Sequence, residues 1–177
     1  MKTFKNTIIP KRYRNSAIAV GNFDGVHRGH QKVFKQAKRY AKKNKIKFGV
    51  LTFTPLPLMF FNRNIKNYRL VSENKKFKLF EKYGVDFVIN IKFNKAFSKI
   101  TAEKFIKTVI FKKINPRLIF VSNNFKFGNK REGDVSQLIN YEDQYGYKIV
   151  KPEPLRIMNK VTSSSLIRNF LENGHLD

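Results

Sequence analysis

No cysteine occurs among the 177 residues, which excludes disulfides and thiolate zinc sites and fits a reducing, cytoplasmic setting. Long apolar runs are missing too. Met1-Lys2-Thr3-Phe4-Lys5 offers no secretory core, and no stretch approaches the roughly 20 apolar residues that span a bilayer, so no membrane partner is expected. Acidic side chains are scarce: 12 Asp and Glu stand against 37 Lys and Arg, a formal net charge of +25. Such a field attracts nucleic acid, anionic membranes and phosphorylated metabolites alike. The abundance of Lys, Asn, Ile and Phe also matches the codon bias of a genome rich in A and T. No aromatic RNA-binding motif or basic recognition helix accompanies the charge, so nucleic acid is not the favoured partner. The basic runs Lys42-Lys43 and Lys75-Lys76 read as solvated helix faces.

What is present suffices for a core: 41% of the residues are hydrophobic and 14% aromatic, and residues 1–177 read as one domain. Ser16-Ala17-Ile18-Ala19-Val20, an apolar run stopping at Gly21, predicts a buried parallel strand. Val33, Phe34, Ala37 and Ala41 recur at helical spacing and predict an amphipathic helix from Gln31 to Lys43, starting near His30. Phe48 to Phe53 is a second strand, ended by Thr54-Pro55-Leu56-Pro57, with a mobile segment expected through Asn67. A helix over Ser72 to Lys82 closed by Gly84, a strand Val85 to Asn90 and a helix capped by Thr101 follow. A strand Leu118 to Val121, a helix Ile139 to Tyr145 and a strand Lys148 to Val150 complete the alternation. The pattern predicts an α/β fold: a Rossmann-like parallel sheet with helices on both faces and ligands at the carboxyl ends of the strands.

Two segments carry chemistry. After the first strand stands Gly21-Asn22-Phe23-Asp24-Gly25-Val26-His27-Arg28-Gly29-His30, with glycines where the backbone must turn and approach a ligand closely. His27 and His30 fall at a helix opening, whose free N–H groups and positive dipole end favour an anion. A plain histidine pair or half of a metal site are the competing readings, and the sequence names no third ligand. The second segment is Thr162-Ser163-Ser164-Ser165-Leu166-Ile167-Arg168, which crowds hydroxyls into the first turn of a short helix ending around Glu172. Ser164 and Arg168, four apart, share a face and would present a hydroxyl and a guanidinium to one anion. A serine-capped surface helix is the bland alternative.

The first segment resembles the HxGH signature of the nucleotidyltransferase superfamily. Together the two look like the FAD synthetase family, the FMN adenylyltransferase module of bacterial bifunctional riboflavin kinase/FAD synthetases, with its GxFDGxHxGH and SSTxIR motifs. The resemblance also takes in Leu51-Thr52-Phe53-Thr54-Pro55, Tyr83-Gly84-Val85-Asp86-Phe87, Thr101-Ala102-Glu103-Lys104-Phe105 and Asn124-Phe125-Lys126-Phe127-Gly128.

The resemblance implies adenylyl transfer from ATP to FMN, giving FAD and pyrophosphate, with Mg2+ as counter-ion of ATP. It makes His27, His30, Ser164, Ser165 and Arg168 the candidate catalytic residues. It assigns ATP to Gly21, Asn22, Phe23, Asp24, Gly25, Gly29 and Ser163, and FMN to Asn124, Phe125, Phe127, Gly128 and Arg131, with Gly133 closing that loop. Metal ligands and oligomeric state are left open. Leu56 stands where the family carries a histidine, Ser122 replaces a glycine and Ser165 a threonine. The reading expects no C-terminal riboflavin kinase domain in residues 1–177 and hence no riboflavin kinase activity. The alternatives are an HxGH transferase for another phosphorylated acceptor, such as pantetheine phosphate or nicotinate mononucleotide, and a degenerate nucleotide-binding module.

Overall fold

Every residue of Ala17–Val20 is buried, as a strand between two helix layers requires. The computed structural model describes residues 1–62, 64–65, 68–157 and 160–174. In chain order the strands are β1 (Lys2–Phe4), β2 (Ala17–Val20), β3 (Phe48–Thr54), β4 (Phe87–Lys92), β5 (Leu118–Phe120), β6 (Lys126–Phe127), β7 (Gly133–Asp134), β8 (Lys148–Val150), β9 (Arg156–Ile157) and β10 (Lys160–Val161). A six-stranded sheet of order β1-β4-β3-β2-β5-β8 is parallel throughout, with Ala17 in register with Phe48 on one side and Leu118 on the other. β6–β7 and β9–β10 are separate antiparallel pairs.

The helices are α1 (Arg28–Lys43), α2 (Pro57–Phe61), α3 (Glu73–Lys82), α4 (Lys95–Ser98), α5 (Ala102–Lys104), α6 (Val135–Asn140), α7 (Glu142–Tyr145) and α8 (Ser164–Glu172). Because side chains alternate along a strand, the sheet feeds two cores. Ala17, Ala19, Val50 and Val88 meet Phe34, Ala37 and Ala41 of α1 and Phe80 of α3. Ile18, Val20, Leu51 and Ile89 meet Ile106, Ile110, Ile114 and Leu138 on the other face. This is the α/β, Rossmann-like sheet with helices on both faces that the alternation predicts.

The structure departs from the sequence reading at several elements. α1 begins at Arg28 with His27 as its N-cap residue, so both histidines belong to its start. The strand predicted from Val85 begins at Phe87, because Asp86 closes back on Phe48: its carboxylate accepts from the Phe48 N–H at 2.8 Å. The helix predicted over Ile139 to Tyr145 is two helices; Asp134 accepts from Gln137 N at 3.1 Å and starts α6 early, and Tyr141 (φ −99°, ψ 3°) breaks the run. Thr101 caps as expected, accepting from Lys104 N at 3.2 Å, but α5 continues as a ten-residue π-helical segment, Phe105–Ile114. The stretch expected to be mobile holds α2, started by Pro57 at its first turn; Arg63, Lys66 and Asn67 lie outside the described residues. Lys42 and Lys43 are exposed as expected, whereas Lys76 is 5% exposed and not part of a solvated face. It precedes Phe80 by one helical turn and shares the buried side of α3.

Candidate active site

Between β2 and α1 the chain makes a turn at the carboxyl edge of the sheet, with a short 3-10 stretch over Asp24–Val26. Phe23 (φ 49°), Gly25 (φ 75°) and Val26 (φ 43°) occupy the left-handed region. Only glycine takes that conformation freely, and a Cβ on Gly25 would also strike Leu70 Cδ1 at 2.8 Å. A β-branched Val26 there is strained. It is held by burial to 1% exposure and by Gln31 Nε2, which donates to its carbonyl at 2.9 Å.

Asp24 ties the turn to the rest of the site. Buried to 3% exposure, its carboxylate accepts from Leu70 N at 3.1 Å on both oxygens and from the Arg168 guanidinium. Its carbonyl accepts from Ser164 Oγ at 3.0 Å. Arg168 also donates from Nε to the Tyr68 carbonyl at 2.7 Å and lies 3.8 Å from the centroid of the Tyr68 ring. On α1, a Cβ at Gly29 would meet the Thr162 carbonyl at 3.3 Å, so glycine lets the two motifs approach. The segments 21–30 and 162–168, distant in sequence, are thus brought together.

The imidazoles of His27 and His30 stack with centroids 3.6 Å apart and planes 25° from parallel, and the edge of Phe23 supports His30 at 5.1 Å. Burial pushes His27 down from 6.5 to about 4 against the pull of Asp24. Burial, then His27 and Lys76, push His30 well below the usual histidine value. Both rings are therefore neutral at physiological pH, each with one N–H donor. Nδ1 of each is buried without a hydrogen-bond partner. No side chain caps α1, so its first-turn amides are not covered by one.

At α8, Ser163 is the N-cap and accepts from Leu166 N at 3.1 Å, Ser164 is spent on Asp24, and Ser165 is exposed. Gly21 packs against the Phe23 ring, Asn22 is exposed, and its carbonyl accepts from Thr52 Oγ1 at 3.1 Å. The segment from Asn124 to Arg131 forms the β6 side of a hairpin. Asn124 and Arg131 are exposed, while Phe127 is 8% exposed and packs between Phe125 (5.5 Å) and Phe105 (5.3 Å). Gly128, at φ 78°, presses on the Ala102 backbone, where a Cβ would lie 2.7 Å away. Leu56 is 4% exposed before α2 and lines a small cavity with Asp24 and Lys76. Sequence reasoning missed Lys76, Thr52 and Tyr68. The available signal was Thr52, a hydroxyl inside a strand otherwise apolar from Phe48 to Phe53.

The family model described as FAD synthetase matches residues 9–166. The chain belongs to the FAD synthetase family. Curated relatives in this family include the bifunctional riboflavin kinase/FMN adenylyltransferase of Buchnera aphidicola subsp. Schizaphis graminum, 38% identical over 90% of this chain and 52% of the relative. The protein of the same name from Escherichia coli is 30% identical over 90% of this chain and 51% of its own. The chain thus spans about half the length of the curated relatives it matches. Among solved structures, a protein from Streptococcus pneumoniae named as a macrolide-efflux protein superposes with a TM-score of 0.83 at 24% identity, over 98% of this chain and 56% of that one. A pantoate-beta-alanine ligase from Francisella tularensis superposes at 0.59 and 14% identity, over 99% and 77%. Both likenesses concern the fold. They agree with the family's match and with the sheet described above.

Proposed function

We propose that the chain transfers the adenylyl group of ATP to FMN, giving FAD and pyrophosphate, in the cytoplasm and with Mg2+ arriving on the nucleotide. One observation carries the reading: two stacked, neutral imidazoles at a helix start without a side-chain cap, joined through Asp24 to the start of a second helix. Two such helix ends on one site favour a polyanion, because backbone N–H groups and both dipoles point positive charge at it. Family membership supplies the acceptor. Among the described residues no three His, Asp or Glu cluster as a metal site.

In this reaction an FMN phosphate oxygen attacks the α-phosphorus of ATP, and the bond from that phosphorus to the bridging oxygen breaks with its electron pair leaving on pyrophosphate. His27 and His30 would donate N–H bonds to oxygens that gain charge as this happens. Gly21 to Gly25, Gly29 and Ser163 would shape and line the ATP side. Ser164, Ser165 and Arg168 would hold the β- and γ-phosphates. Arg168 has five donors, and those not used on Asp24 and Tyr68 would serve a phosphate. Asn124, Phe125, Phe127, Gly128 and Arg131 would form the flavin side, with Phe127 acting from the core through Phe125.

The test is product formation. FMN, ATP and magnesium mixed with the protein should yield FAD and pyrophosphate, and His30→Ala should slow the reaction by about a hundredfold or more, the usual cost of a donor to developing charge. Absence of FAD, or an unchanged rate in His30→Ala, overturns the reading.

A further inference from the structure

Lys76 is the cation that neither motif nor family assignment uses. Its ammonium lies 5.8 and 5.9 Å from the ring centroids of Phe77 and Phe80. The ammonium donates to Thr52 Oγ1 at 3.2 Å. Thr52, fully buried, donates its own hydroxyl hydrogen bond to the Asn22 carbonyl at 3.1 Å. A hydrogen-bonded line therefore runs from α3 through β3 into the turn that carries Asp24 and leads to the histidines.

A methionine or leucine would fill the same side of α3 without the cost of taking a charge out of water. Burial pushes the ammonium down to about 8, and Glu73 and Asp24 work against that shift while Arg69 adds to it. The groups around Lys76 are Asp24 from the turn, Arg69 from the segment before α3, Glu73 from the start of α3 and His30 from α1, with Arg168 of α8 reaching Asp24. Lys76, Asp24, Leu56, Arg69 and Glu73 also border a cavity of about 10 Å³, room for roughly one water. A buried, perturbed charge held on a buried hydroxyl that in turn bonds the site's backbone points to function more than to packing.

We propose that Lys76 is a positioning residue for adenylyl transfer, fixing the Asn22–Asp24 turn against the histidine pair through the Thr52 hydroxyl. The inference rests on the reading of the site as an adenylyltransferase. Lys76 reaches the turn through Thr52. Burial first, then His27 and the Lys76 charge, oppose protonation of His30.

A double-mutant cycle tests it. Lys76→Met and Thr52→Val, both folded by thermal melt, should each lower kcat for FAD formation by about tenfold or more while KM for ATP moves less than about threefold. Combined, they should cost no more than the worse single change, because they cut one line. Thr52→Ser, which keeps the hydroxyl, should retain the parent rate. Additive losses, or a parent kcat in Thr52→Val, overturn the proposal. The chain has three histidines, so ring NMR gives a second arm that needs no turnover. In Lys76→Met the His30 titration should move to higher pH, and an unmoved midpoint overturns the placement of the ammonium against the pair. A parent protein that makes no FAD defeats the functional reading instead, and the NMR arm still decides Lys76.

Discussion

At residue scale the histidine pair is paid for in acid stability. His27 titrates at about 4 in the folded chain against 6.5 when unfolded, and His30 is depressed in the same direction, burial being the largest cause for both. Below pH 6.5 the unfolded chain takes up protons that the folded chain refuses. The stability these rings contribute is therefore complete above about 6.5 and lost as pH falls through about 4. Thermal unfolding followed from pH 7 to 4 should show the parent falling more steeply than a His27→Gln, His30→Gln double variant. Parallel curves would mean that the rings titrate normally. Carboxylates titrate in the same window, which is why the difference between the curves is the quantity to read. Asp24 has a different role at this scale: it is the counter-charge that lets Arg168, 13% exposed at its side chain, stay beside the turn.

At the scale of elements, two helix starts define the site and have different supports. α1 is anchored by burial: Phe34 is fully buried and touches Phe23 at 4.9 Å, so the core packing of the helix and the turn carrying the histidines share a side chain. α8 has no buried residue among Ser164–Glu172 and depends on its cap, on Ser164 and on Arg168. Phe34→Ala should accordingly cost about 3–5 kcal/mol of global stability in urea unfolding, as large aromatic truncations in cores do. Ser163→Ala should cost about 1 kcal/mol, confined to α8 and visible as faster amide exchange there. Equal effects on global unfolding would show that α8 is as deeply integrated as α1. The π-helical segment Phe105–Ile114 belongs to the same scale: it presents Phe105, Ile106, Val109, Ile110 and Ile114 to the core beneath the sheet.

The whole molecule has a sheet whose carboxyl edge carries the candidate site, in a strongly basic chain. The net charge of +25 favours anionic substrates by attraction at a distance, but the two helix starts and the imidazoles give the field a target. No helix among the described residues is long and apolar enough to cross a membrane. We propose that the chain carries adenylyl transfer without phosphorylation of riboflavin. Riboflavin and ATP supplied to the protein should give no FMN, while FMN and ATP give FAD; FMN from riboflavin would refute the first half. The comparison needs both arms run on one preparation, because the curated relatives carry both activities in their names and are about twice as long.

Sequence alone determined the alternation of the main sheet strands from Ala17 to Val150 with the helices between them, because apolar runs and helical spacing are local signals set by a residue and its near neighbours. It also pointed to the family, through the motifs Gly21 to His30 and Ser163 to Arg168. It could not reach pairings made across long loops: the strand order, the edge strand Lys2–Phe4, the bond from Ser164 to Asp24 and the grip of Arg168 on Tyr68. Lys76 is the sharpest case. Beside Lys75 it reads as half of a solvated pair, and only the packing of α3 on β3 places it 5% exposed against Thr52. Burial is a property of what lies opposite a residue, and what lies opposite Lys76 is 24 residues away along the chain.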